Sequence, residues 1–504
     1  MSSTITIDGF TASTKTPGAV GQARMARGKA NPGAVTKKLL LLGNKTSSGS
    51  MTVDVAPIQV FTEEDVVTYC GARSELAHMA FVALKYGIAP WIGAVTEASG
   101  GTAATWTLTF TGTAGTTAGT FYLEVGDELT KVLTIPINIA ASNTPTQSGA
   151  AAVTAINTAA LGRLPYTAAQ VAGVVTITRG NVGLRGNQHI AHLITDNSPP
   201  STQTAALTGG TALSNNGVPM TGGAGQDTLT AILAATLTDE YEYVALAAND
   251  ATSVGAFITQ TDAKNHPLVG MTEFPFVALN GTQAAAITFA SGTMNHALSN
   301  LTFLKSCRTH PSVIAASMAA KCATTESASP NHRYNGEELL GVAGHRTQAD
   351  VPGRSSTDAM LDAGVTPIST KNGKPVVVRA ITTYCLNGTA PDYRCLDRSH
   401  AVVAQKNRKD LVYIWDNEFS VANPYVGPDD AEGLPLPAGV ASPRFWSARC
   451  YNYLKEQEAA NVNADVDLNL PYSEWDADAE RIMTRIKSLS RRQNHQVGVL
   501  VDQI

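Results

Sequence analysis

From Gln226 to Tyr384 the sequence alternates between two kinds of segment, and this alternation narrows the fold more than any other feature. "EYEYVALAA", "FPFVAL" and "KPVVVRAITTY" are strand-length runs, apolar and rich in β-branched or aromatic residues. "QDTLTAILAATL", "ATSVGAFITQTDAKN" and "HPSVIAASMAAKCA" between them are helix-length, the first with Asp227 near its start. Strands that are apolar on both faces and separated by helices imply a mainly parallel sheet with helices on both faces. "KKLLLLGN" (37–44) and "APWIGAV" (89–95) supply two further strands. Between these two, "EEDVVTYCGARSELAHMAFVALKYG" (63–87) reads as one helix, with Leu76, Ala80, Ala83 and Leu84 on one face and Gly87 as its stop.

Composition changes abruptly between these halves. In "GGTAATWTLTFTGTAGTTAGTFYLEV" (100–125), Trp106, Leu108 and Phe110 alternate with Thr105, Thr107 and Thr109, the period of a strand with one dry face. "KVLTIPI" and "GVVTITRG" continue the pattern, and one Ala-rich helix, "SGAAAVTAINTAALG", interrupts it. The expected organisation is a discontinuous α/β core over 35–97 and 225–395 with a β-rich domain, 98–222, inserted into it. Residues 396–490 read as a mostly helical α+β domain, with "DRSHAVVAQKNRKDLVYIW" (397–415) and "PRFWSARCYNYLKEQEAANV" (443–462) amphipathic. A last helix is expected from Ser473, with Trp475, Ala479, Ile482, Ile486 and Leu489 on one face and Arg481, Arg485, Lys487, Arg491 and Arg492 on the other. Extended arms complete the chain: residues 1–34, where Ile5 and Ile7 alternate in "TITIDGF", and 491–504, where Val497, Val499 and Val501 alternate in "HQVGVLVDQI".

The chemistry-bearing residues are sparse. A net charge of −5 over 504 residues gives no reason to expect a nucleic-acid partner. The six cysteines are scattered without a C-x-x-C pair, which argues against a zinc site or disulfide scaffold and fits a reducing compartment. The N-terminal sequence has no apolar signal core, and no apolar run reaches the ~18 residues of a membrane span; assembly in the cytoplasm is expected. Nucleophile-elbow, zinc-protease, phosphate-loop and dinucleotide motifs are all missing, so no cofactor is expected. His189 and His192 in "HIAH" have no nearby carboxylate or cysteine and read as loop or surface histidines rather than metal ligands. In "IAASMAAKCA" (314–323), Ser317 can be staged with Asp250 and His266 or His296 in the order Asp–His–Ser, but Ala315 and Ala316 replace the Gly and Thr expected before such a nucleophile. A small-residue helix packed on the sheet is the plainer reading, and neither catalytic nor metal-binding residues are assigned.

Five segments, taken in order, resemble the tail sheath proteins of contractile-tailed bacteriophages, most closely the Mu-like branch. They are "ITIDGFTASTKTPGAV" followed by "KKLLLLGNKTSSG"; the Thr/Gly-rich insertion with its Ala-rich helix; "HPSVIAASMAAKCA" with "PNHRYNGEELLGV"; "VVVRAITTY" with "DYRCLDRSHAVVAQKNRKDL"; and the terminal "NHQVGVLVDQI". Residues 346–369 and 429–443 fit that pattern least. The resemblance implies a core of subtilisin-like topology without protease activity, and a non-enzymatic subunit that stacks with copies of itself around a tail tube in the virion. Tail tube, baseplate and tail terminator proteins are the implied partners. It implies that Ile5, Ile7, Val497, Val499 and Val501 lie in strands donated to neighbouring subunits, and that Arg481, Arg485, Lys487 and Arg492 face the tube. A serine hydrolase built on Ser317 and a carbohydrate-binding adhesin built on 98–222 are the competing readings.

Overall fold

The computed structural model describes residues 37–195, 202–429, 437–487 and 489–490. The described chain begins with β1 (Leu39–Gly43) and β2 (Ile58–Gln59), continues through α1 (Glu63–Cys70) and α2 (Glu75–Leu84), and reaches β3 (Trp91–Ala94). The stretch expected as one helix over 63–87 is therefore two. Gly71 breaks it: its φ is +81°, and a Cβ there would collide with the hydroxyls of Thr46 and Ser48. Ser74 restarts the helix by accepting from the Ala77 N–H at 3.0 Å. One apolar period runs across the break because both helices bury residues in the same core.

Nine elements follow before the chain returns: β4 (Ala103–Thr111), β5 (Gly119–Asp127), β6 (Lys131–Ile139), α3 (Pro145–Thr158), β7 (Tyr166–Val171), β8 (Val174–Val182), β9 (Ile190–Ile194), β10 (Thr204–Thr208) and β11 (Val218–Pro219). They make two antiparallel four-stranded sheets, ordered β10-β4-β8-β7 and β11-β9-β5-β6. Their facing residues, among them Trp106, Leu108, Phe110, Phe121, Leu123, Ile135 and Ile177, form a core of their own. Trp106 is fully buried and its indole N–H donates to the Val218 carbonyl at 2.9 Å, so the aromatic anchor of this core carries no unsatisfied donor.

The returning chain comprises α4 (Thr230–Thr236), β12 (Tyr243–Leu246), α5 (Ala251–Asn265), β13 (Phe274–Leu279), α6 (Gln283–Gly292), β14 (Asn300–Phe303), α7 (Pro311–Ala328), α8 (Arg354–Asp362), β15 (Val365–Lys371) and β16 (Lys374–Val377). With the first three strands they form an eight-stranded sheet, β16-β15-β14-β13-β12-β1-β3-β2. Its six inner strands are parallel; β16 and β2 run antiparallel at the two edges. The four leucines of β1 show why it is apolar throughout: Leu39 and Leu41 enter the core under α2 and α7, while Leu40 and Leu42 enter the opposite core under α4, α5 and α6. Asp227 does not start α4. It accepts from the Ala98 N–H at 2.9 Å and pairs with Arg185 at 2.6 Å, tying together the two chain passages into the β-rich region.

The remaining elements are β17 (Leu386–Asn387), β18 (Ala390–Pro391), α9 (Arg398–Ile414), a π-helical turn (Trp415–Phe419) leading into α10 (Ser420–Ala422), β19 (Tyr425–Val426), β20 (Val440–Ala441), α11 (Pro443–Ala459), β21 (Tyr472–Asp476) and β22 (Arg481–Arg485). A buried ion pair fastens α9 to the sheet domain. Arg398 Nε donates to Glu326 Oε1 of α7 at 2.7 Å, its guanidinium lies over the Phe274 and Phe276 rings, and the Tyr243 and Tyr334 hydroxyls donate to the same carboxylate. The helix expected from Ser473 is absent: 472–485 is a β-hairpin. Trp475 faces Ile482 and Ser473 faces Thr484 across it, and Glu480, at φ +48°, closes the turn. Seven residues separate Trp475 from Ile482, which is two helical turns and equally the cross-strand spacing this turn creates, so apolar period alone could not separate the two.

Candidate assembly surface

The hairpin is a two-stranded sheet on its own, joined to no third strand among the described residues. Two-stranded ribbons are marginal in water. This one is held from one side by α11, where Ser447 donates to the Ser473 hydroxyl at 2.7 Å and Ile482 packs against Trp446 and its neighbours. Its turn is closed by Arg481 Nε donating to Asp476 Oδ2 at 2.9 Å. The sheet pairings join β21 and β22 to each other and to no further strand among the described residues. An edge of this kind is a template for strand addition.

Leading into the hairpin, Leu468 is 83% exposed, Leu470 60% and Tyr472, the first residue of β21, 56%. Tyr413, Val421, Tyr425 and Phe445 of the same region are also exposed. Isolated exposed apolar residues are ordinary, but here Leu468 at the end of a 3-10 turn (Val466–Leu468), Leu470 and Tyr472 follow one another into the hairpin, close together in the chain and all exposed. In the sequence, "LNLPY" places these three apolar residues together, a feature that went unread.

The predicted site residues fall into three groups. Ile5, Ile7, Val497, Val499, Val501 and Arg492 lie outside the described residues. Arg481 is spent on Asp476 within the hairpin, and Arg485 and Lys487 are exposed. These cations do not form one helical face, because 481–485 is a strand. His189 and His192 are not loop or surface histidines: both are buried, His189 stacked on His310 with ring centroids 4.3 Å apart. Burial favours the neutral ring, so His189 is held well below its usual pKa and His192 at about 4.

Ser317, Asp250, His266 and His296 do not converge. Ser317 is buried in the middle of α7 and donates to the Leu340 carbonyl at 2.8 Å, with the Tyr86 hydroxyl 3.0 Å away. Asp250 caps α5 through the Ser253 N–H, His266 ends that helix, and His296 pairs with Asp262 and Ser299. All six cysteines are buried thiols. No cluster of three or more metal-ligating side chains occurs among the described residues.

A second constellation, scattered in sequence, joins the β-rich region to the sheet domain. Glu75 at the start of α2 is 3% exposed and accepts from Arg179 Nη2 at 2.9 Å and from Arg185 Nη2 at 2.8 Å. Arg185 also reaches Asp227 and Asn44. Burial works against the Glu75 carboxylate, but Arg185 and Arg179 outweigh it and hold its pKa well below the carboxylate range. Nearby, His78 Nδ1 lies 2.8 Å from Glu128 at the β5–β6 turn, and Lys131 pairs with Glu338. No sequence motif marks these residues, since only the tertiary fold brings 75, 179, 185 and 227 together.

A scan of protein-family profiles finds no match to the chain, and a search of curated proteins finds none either. Among solved structures, the chain is similar to a sheath tail protein from Desulfitobacterium hafniense (13% identity, TM-score 0.45, covering 92% of this chain and 99% of that one). It is also similar to a sheath tail protein from Listeria innocua (12% identity, TM-score 0.47, 93% and 94% covered). A third similar chain belongs to the baseplate of the anti-feeding prophage (9% identity, TM-score 0.46, 97% and 99% covered).

Proposed function

We propose that the chain is the structural, non-enzymatic subunit of a contractile tail sheath, which polymerises helically around a tail tube and shortens to drive that tube through a cell envelope. The observation that carries this reading is the hairpin β21–β22, a two-stranded sheet among the described residues, beside the exposed Leu468, Leu470 and Tyr472, in a chain whose sequence at 1–34 and 491–504 reads as strand-bearing arms. Arm strands from neighbouring copies would complete the hairpin by β-augmentation. The 14 residues of 491–504 reach roughly 45 Å when extended, enough to cross between subunits. A strand of about eight residues forms around eight backbone hydrogen bonds, each worth a net ~0.5–1.5 kcal/mol before ordering costs. Such links let rigid cores repack from an extended to a shorter lattice without dissociating, with no nucleotide and no cofactor. In this arrangement the β-rich insertion faces outward, and Arg485 and Lys487 are the described cations free to meet the tube. Tube, baseplate and terminator proteins are the other partners, and the virion tail is the site of action. Electron microscopy of the purified protein tests the proposal: long striated tubes are expected, and deletion of 495–504 should abolish them while leaving a folded monomer. Monodisperse full-length protein under every assembly condition would refute it.

A further inference from the structure

The β-rich insertion and the sheet domain keep separate hydrophobic cores, and the contacts that cross between them are largely polar: Glu75 with Arg179 and Arg185, Glu63 with Arg163, Glu338 with Lys131, and Arg308 and Arg346 with Glu124. A polar seam between two parts of one chain suits docking and release rather than permanent fusion. Three histidines are buried along it, His189 and His192 on the insertion and His310 on the sheet domain. The contacts of His310 fix the role of each ring nitrogen. Nε2 lies 3.0 Å from the Arg185 carbonyl of the insertion, which can only accept, so Nε2 carries a proton. Nδ1 caps α7 by accepting from the Ser312 N–H at 3.3 Å, so Nδ1 holds the lone pair, with the Ser312 hydroxyl 2.7 Å away. The neutral ring therefore spans the seam, and its face is stacked on His189.

A second proton on His310 would sit on Nδ1. It would take the cap from Ser312 and set a positive charge at the N-terminal end of α7, where the helix dipole opposes it, close to Arg179. The Glu75 carboxylate, 3.7 Å from Nδ1, is already shared by Arg179 and Arg185. His189 faces the His310 ring, Arg179 and His78, while His192 faces Arg346 and Arg308, both of which are paired with Glu124. Burial first, and these neighbours second, hold His310 at about 3, His192 at about 4 and His189 well below its usual value, so all three rings are neutral while the seam is closed. Opened to water, each returns to about 6.5. His78 behaves differently: burial opposes its charge, but Glu128 prevails and raises its pKa, so below pH 6.5 it is protonated whether the seam is open or closed and adds nothing to the acid response.

We propose that His189, His192 and His310 form an acid-operated latch: their uncharged rings close the seam at neutral pH, and their protonation on acidification releases the insertion from the sheet domain while both parts stay folded. The latch is independent of the assembly reading. Each ring that gains its proton only on release shifts the open-to-closed ratio about tenfold per pH unit below about 6.5, so three shift it by up to about 1,000-fold per unit. Energy transfer in the full chain tests this. The native cysteines are buried, so pH-insensitive dyes can be placed at Val171→Cys on the insertion and Leu268→Cys on the sheet domain, both exposed positions. Titration from about pH 7.5 to 4.5 should give a reversible drop in transfer, steeper than two protons allow, with the far-UV circular dichroism unchanged. His310→Gln, whose amide can keep the bonds to Arg185 and Ser312, should lower the steepness by one proton, about tenfold per pH unit, and His192→Gln reads the same loss should that variant fail to fold. Transfer that persists until the circular dichroism is lost, or a steepness equal in wild type and variant, overturns the proposal.

Discussion

Glu75→Gln is the perturbation that bears hardest on how the β-rich insertion is held. The native carboxylate sits between Arg179 and Arg185, fully enclosed. Glutamine keeps the shape but leaves two buried guanidinium groups short of a counter-charge, one of which retains Asp227. Removing one partner of a buried ion pair costs about 3–5 kcal/mol, against about 5–15 kcal/mol for a whole domain. The cost falls on the junction rather than on the core of either part, because the Trp106-centred core and the cores flanking the sheet are separate. With opening and closing fast relative to cleavage, proteolysis follows the open population, so cutting at 97–102 and 222–226 should accelerate roughly 100- to 4,000-fold at a factor of ten per 1.4 kcal/mol. Limited proteolysis with mass-spectrometric mapping, beside a urea melt, reads this out. Acid should erase the difference: a depressed carboxylate contributes stability above its unfolded pKa of about 4.3, lost as pH falls below that value. A variant less than about 1 kcal/mol weaker, with unchanged cleavage at the junction, would refute the assignment of Glu75 as the lock.

Other perturbations separate the remaining claims. Arg398→Met should cost about 3–5 kcal/mol in a denaturation curve by stranding Glu326 among Tyr243 and Tyr334. Burial holds His310 at a pKa of about 3, below its unfolded value, so stability should decline as pH falls through about 6.5; between pH 7 and 5 the wild type should lose on the order of 1–2 kcal/mol more than His310→Gln, measured by urea midpoints. The triple variant Leu468→Asp, Leu470→Asp, Tyr472→Asp should leave the Tm nearly unchanged, because all three side chains are exposed, yet prevent tube formation in negative-stain micrographs. Ser317→Ala should lose only about 1 kcal/mol, the worth of its bond to Leu340, and an active-serine probe should label neither protein.

Those parts of the fold that rest on local pattern were legible in the sequence. The four leucines of 39–42 announced a strand buried on both faces, and the Trp–Thr alternation of 105–110 announced a sheet with one dry face; both are present. Ser442 followed by Pro443 starts α11 as capping chemistry requires. Failures occurred where two patterns coincide or where distance in sequence hides contact. Apolar spacing of seven fitted helix and hairpin alike at 475–482, and the helical period of 63–87 ran through Gly71, whose positive φ interrupts it. His189 and His192 looked solvent-facing because polar residues carry no local sign of burial, and Glu75, Arg179, Arg185 and Asp227 are neighbours only once two sheets have docked. Of the assembly surface, "LNLPY" was the one readable stretch, and its message was the absence of a core to receive its apolar side chains.

The most direct test of the strand-exchange proposal is a cryo-electron microscopy structure of the assembled tube. The β21–β22 hairpin should then be the middle of a larger sheet, flanked by strands containing Val497, Val499 and Val501 of one neighbouring copy and Ile5 and Ile7 of another. A hairpin that remains two-stranded in the tube, with both terminal segments packed on their own protomer, would contradict it.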